Sequence, residues 1–169
     1  MYYVTQQWDK AGAIAQRMLK GQFGALGPAA REYPQFAYAA SVFWSQGREK
    51  ALPEYMKVVR DGHGTFRTFT QCRAAYCVAH LAESIGDKEV RKQGRELLLA
   101  LVQSPQQNEY TYKARVVLAR NLIKEGRAEE GMALLRAMPK DAGPLKDLAN
   151  YYLPKYQKEY EDKKKETQK

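Results

Sequence analysis

Residues 112–139, YKARVVLARNLIKEGRAEEGMALLRAMP, decide the reading of the fold. In the first half, Tyr112, Val116, Leu118, Ala119, Leu122 and Ile123 recur at helical spacing, with Arg, Asn and Lys between them. That is the pattern of an amphipathic helix. Gly126 ends it, because glycine accepts the left-handed backbone on which helices often stop. Ala133, Leu134, Leu135 and Met138 give the next helix its apolar face, and Pro139 stops that helix in turn. The spacing therefore predicts an antiparallel helix hairpin. Ala119, seven residues before Gly126, falls where the two helices approach most closely, so a small side chain is required there.

The same arrangement extends outward in both directions. Turns begin at Gly47-Arg48-Glu49-Lys50-Ala51, at Gly86-Asp87-Lys88-Glu89-Val90 and at Gly126-Arg127-Ala128-Glu129-Glu130, with the glycines 39 and 40 residues apart. Seven residues before each stands an alanine: Ala40, Ala79 and Ala119. One further step back reaches Gln7-Trp8-Asp9-Lys10-Ala11, a fourth copy with Gln in place of Gly. Each hairpin carries one apolar face more than it can bury alone. Stacking hairpins buries the surplus, which is how helical repeat proteins are stabilised.

With these residues in hand, the chain resembles the tetratricopeptide-repeat superfamily and its longer-helix relatives, including those of bacterial envelope-assembly factors. The features that carry the resemblance are Ala40, Gly47 and Ala51 in one unit and Ala119, Gly126 and Pro139 in another. The middle unit keeps Ala79 and Gly86, while Lys92-Gln93-Gly94 lengthens its second helix and Pro105 ends it. The departures are a period longer than the family's usual value of about 34 residues and Gly131 near the expected second-helix alanine. The resemblance covers about residues 1–142. It implies an all-α fold, a right-handed α-solenoid of stacked antiparallel hairpins with about seven or eight helices.

The corresponding division is a single repeat domain over 1–160, followed by a charged, solvated tail at 161–169. Within it lie a partial leading repeat (1–27), repeats at 28–64, 65–105 and 106–142, and a capping helix at 143–160. The chain opens part-way through a repeat, as a frayed cap or as a piece of a longer protein. At the other end Leu145, Leu148, Ala149, Tyr152, Leu153, Tyr156 and Tyr160 continue a helical stripe suited to a cap. Pro154 lies inside that stripe and predicts a kink or break near residue 153.

The 169 residues carry 28 Lys+Arg against 19 Asp+Glu, a formal charge of +9. That favours acidic partners. The excess is spread along the chain rather than confined to one block, so it argues less for nucleic acid than a basic stripe would. No apolar run reaches the roughly 18 residues a membrane helix needs, so no membrane insertion is expected. The sequence leaves the location open: a soluble chain, cytoplasmic or the soluble part of an anchored protein.

Nothing in the sequence asks for catalysis, a cofactor or a metal. Cys72, Cys77 and His80 come closest to a ligand cluster, but five residues on a helix turn through about 500°, so the two thiols diverge. Gly62 and Gly64 before Arg67 read as an inter-repeat linker, since no phosphate-loop signature follows.

The resemblance further implies that the first helices of successive hairpins line a concave groove for extended or helical peptides. Counting 13, 10, 6 and 3 residues back from each glycine selects Pro34, Ala37, Ser41 and Trp44, then Arg73, Tyr76, His80 and Glu83, then Lys113, Val116, Arg120 and Ile123. Ser41, Trp44, Arg73, Tyr76, His80, Lys113 and Arg120 are the candidate binding residues. Their mixture of aromatic and basic groups suits an acidic protein or peptide with an apolar anchor. The family's clamp for chaperone carboxy-termini is not matched. Ala37, Ser41, Cys77 and Val117 stand where it needs Lys, Asn, Asn and Arg, and only Lys113 agrees. The expected role is a non-enzymatic interaction scaffold or adaptor. RNA binding and self-assembly are the alternatives.

Overall fold

The computed structural model describes residues 7–61 and 66–167; the Gly62–Gly64 linker and the frayed cap expected at the start of the leading repeat lie outside them. The described residues form eight α-helices: α1 (Trp8–Leu19), α2 (Pro28–Gln46), α3 (Arg48–Asp61), α4 (Phe69–Ile85), α5 (Lys88–Gln103), α6 (Glu109–Lys124), α7 (Ala128–Arg136) and α8 (Pro144–Thr167). A single 3-10 turn, Lys140–Ala142, precedes α8. The fold is all-α and repeat-like, with helices packed in sequence order.

Three hairpins, α2–α3, α4–α5 and α6–α7, turn at Gly47, Gly86 and Gly126. Their φ angles are 93°, 83° and 85°, a region closed to most L-residues. The starts of the first helices repeat as well. Thr68 caps α4 in a reciprocal box with Gln71, and 40 residues later Asn108 caps α6 in a box with Thr111. The first-hairpin counterpart is Gly27 followed by Pro28 at the first helical position.

Small residues set the packing within hairpins. Ala40, Ala79 and Ala119 are all buried. A methyl group added at Gly131 of α7 would come within 2.6 Å of the Ala119 carbonyl oxygen on α6. One added at Gly94 of α5 would come within 2.6 Å of the Ala82 methyl on α4. The glycine at position 131 is thus what allows α6 and α7 to close. Gly94 lies inside α5, which at 16 residues is the longest second helix; α7 has 9.

The packing between hairpins is asymmetric. The first helices touch in succession, α2 with α4 and α4 with α6, and α8 takes the next place against α6. The second helices α1, α3, α5 and α7 have at most marginal contact with one another. Between α5 and α7 a cleft of about 420 Å³ opens onto Leu118 and Leu122 of α6. One core, around Phe36, Val58, Phe66, Val78, Leu98 and Leu101, joins α2 to α6. A second, around Tyr112, Val116, Leu135, Met138 and Ala149, seats α8.

One expectation about the carboxy-terminal helix is corrected. Of the kink or break predicted near residue 153, the break is absent, since α8 runs unbroken through Pro154. Tyr152 and Tyr156 straddle the proline, stack with ring centroids 5.6 Å apart and pack on the second core. This packing offsets the one backbone hydrogen bond that proline forfeits. Residues 161–167 are helical too, continuing α8 into the charged tail. Gln157 donates to Glu161 one turn on, and no glycine or proline follows Pro154 to stop the helix.

Candidate functional site

The row of first helices presents aromatic rings at helical spacing. Phe36 and Phe43 lie two turns apart on α2, Phe69 and Tyr76 on α4, and Tyr110 on α6. Phe69 meets Tyr110 edge-on at 5.1 Å, and Tyr76 lies 5.9 Å from Tyr110. Into this framework α4 projects Arg73. Its guanidinium lies 4.5 Å above the Phe36 ring and 5.9 Å from the Tyr110 ring, so one cation links all three first helices. None of the ion pairs among the described residues involves Arg73. Lys113 also lies over Tyr110, at 5.1 Å, but pairs with Glu109 on its own helix. That carboxylate raises the lysine's pKa.

One turn along α4 from Arg73, a small cleft opens between α2, α3 and α4. Phe43, Tyr55, Tyr76, Cys77, His80 and Leu81 line it, and its volume is about 180 Å³. Burial pushes the Cys77 thiol up to about 11, so it is a neutral, apolar wall at physiological pH. Burial likewise raises the phenols of Tyr76 and Tyr110. His80 is exposed and stacks on Tyr76 with the rings nearly parallel.

The structure brings together four of the seven residues selected from sequence: Arg73, Tyr76, His80 and Lys113. Trp44 stands at the edge of the same row. It is 60% exposed, stacked at 5.3 Å on Trp8 of α1 and edge-on to Phe43. Arg120 is exposed two turns beyond Lys113 on α6. Ser41 is placed elsewhere. It is buried against Gly12 of α1, where a methyl on that glycine would overlap its hydroxyl, and it donates to the Tyr38 carbonyl. Of the other projected positions, Pro34 and Ala37 are buried, and Val116 belongs to the second core. Ile123 faces Tyr156 and Tyr160 of α8 across another cleft.

Counting from the glycines missed Phe36, Phe43, Cys77, Leu81 and Tyr110. A fixed set of offsets follows one stripe of each helix, whereas these residues flank it, Phe36 and Phe43 on one side and Cys77, Leu81 and Tyr110 on the other. The seven-residue spacing of Phe36 and Phe43 was the available signal.

Among the described residues, no three His, Cys, Asp or Glu side chains assemble as a metal-holding group, and no helix is long and apolar enough to cross a membrane. The class that these observations define is an all-helical, repeat-like protein with a cationic and aromatic face on one row of helices. No family model, curated protein or solved structure matches the chain.

Proposed function

We propose that this chain is a tetratricopeptide-like α-solenoid of long repeats, and that it acts as a non-enzymatic interaction scaffold holding a segment of a partner protein along its first helices. The contact of α2, α4, α6 and α8 in one row, with the second helices apart, supports a stack whose first helices line the inner side of a curve. The observation that carries the functional reading is Arg73. A guanidinium held over rings from two neighbouring helices, and without a carboxylate partner, is preorganised to receive one. Arg73 is half-buried rather than sealed, and a guanidinium's forked N–H donors match a carboxylate, which suits an acidic segment.

The test places a photo-crosslinking benzoylphenylalanine at position 80, in the aromatic row, or at position 99, on the opposite side of the stack, in nuclease-treated native extract. Defined protein adducts from position 80, absent from position 99 and reduced by Arg73→Glu with Arg120→Glu, are expected. Equal adducts from both positions would overturn the reading. Adducts that require nucleic acid and vanish steeply with salt would put RNA in the groove instead.

A further inference from the structure

The cleft and Arg73 together specify more than a general groove. The six lining residues include no carboxylate, lysine or arginine. An apolar cavity of about 150 Å³ accommodates a benzene ring, so the 180 Å³ here admits one phenylalanine- or leucine-sized side chain and not two. Cys77 in the cleft wall is four residues after Arg73 on α4, a displacement of about 6 Å along the helix. An extended peptide advances about 3.3 Å per residue and returns to the same face every second residue. Along the α4 backbone the cleft wall and Arg73 are therefore a two-residue step apart.

Charge narrows the occupant further. Among the described residues Arg73 carries no ion pair, Glu109 already offsets Lys113, and Arg120 stands exposed beyond it. A basic segment would bring like charges together here, while an acidic one finds a fixed fork. Resting on the scaffold reading above, we infer that the occupant is an acidic linear segment with a single large apolar anchor seated in the Phe43–Tyr55–Tyr76–Cys77–His80–Leu81 cleft, and a carboxylate two residues from that anchor on Arg73.

The probe is a fluorescein-labelled peptide, Gly-Ser-Asp-Ser-Phe-Ser-Asp-Ser-Gly, titrated with the whole chain and followed by anisotropy at low salt. Parallel peptides replace Phe by Ala, both Asp by Asn, or both Asp by Lys; an oligothymidine of similar length is the nucleic-acid arm. The parent peptide is expected to bind, and to weaken at least tenfold with either the Ala or the Asn replacement. Arg73→Glu, with helicity checked by circular dichroism, is expected to lose the parent and to bind the Lys peptide at least tenfold better than the unaltered chain does. Arg73→Gln, which adds no negative charge, gives a second reading of the same loss. Indifference to the anchor, indifference to the carboxylates, unchanged binding by both variants, or preference for oligothymidine would each overturn the proposal. If the peptides fail while position 80 still crosslinks to a protein, the acidic-anchor inference falls and the scaffold reading stands. If the position-80 adducts are also lost, both fall.

Discussion

At the scale of single residues, Gly131 and Gly126 are both glycines for reasons that can be separated by experiment. Gly131 lacks room, because a methyl there meets the Ala119 carbonyl at 2.6 Å, a backbone atom that cannot swing aside. Gly126 has open space around it but a φ of +85°. Gly131→Ala is expected to cost about 1–3 kcal/mol through overpacking, and Gly126→Ala about 1–2 kcal/mol through left-handed strain. Both are measurable by urea denaturation, and a second variant distinguishes them: Gly126→Asn should recover part of the loss, whereas Gly131→Asn should not. Ala119→Leu, across the same contact, is expected to lose about 1–3 kcal/mol; an unchanged midpoint would mean that α6 and α7 do not meet there. This is the scale at which the sequence was most legible. A left-handed turn and a close helix approach each demand a small residue whatever the surroundings, so Gly47, Gly86 and Gly126 and the alanines before them announce the hairpins directly.

At the scale of elements, the starts of α4 and α6 carry the same device in different surroundings. Asn108→Ala removes a cap that accepts from the Tyr110 and Thr111 amides, and should cost about 1 kcal/mol. Thr68→Ala should cost more. Its hydroxyl accepts from the Gln71 amide and also donates to Glu32 of α2, a carboxylate that is 9% exposed and takes a second bond from the Gln71 amide group. Equal losses in thermal unfolding would show that the Glu32 link adds nothing.

The Arg95–Glu125 bridge joins α5 to the end of α6, and the guanidinium depresses the Glu125 pKa. A depressed carboxylate contributes stability above its unfolded value, and that contribution disappears as pH falls through the lower folded value. Glu125→Gln should therefore lower the melting temperature slightly at pH 7 and not at all well below the carboxylate range. The fate of α8 was less legible. Pro154 and the charge run each signal an ending, but the aromatic packing that carries the helix past the proline is tertiary, and one chain's spacing does not encode which neighbour Tyr152 and Tyr156 will find.

At the scale of the whole molecule, residue type proved easier to read than facing. The expected mixture of aromatic and basic groups is present, yet Ser41, Pro34, Ala37 and Val116 are buried, while Phe43 and Leu81 line the cleft. Which stripe of a helix faces outward depends on how far each hairpin rotates against the last, and that rotation is set by side-chain volumes on three helices at once. The double reversal Arg73→Glu with Arg120→Glu tests the face as a unit. It is expected to abolish partner capture while leaving the far-ultraviolet circular dichroism spectrum unchanged, because neither charge is an ion-pair partner among the described residues.

The asymmetry between the two rows of helices also has a mechanical side. The first helices are already in contact and resist being pushed together, whereas the space between α5 and α7 has room to close. In the α-solenoid proposed above, closing that gap by pivoting about the first helices would straighten the stack, so its expected give is toward lengthening rather than shortening.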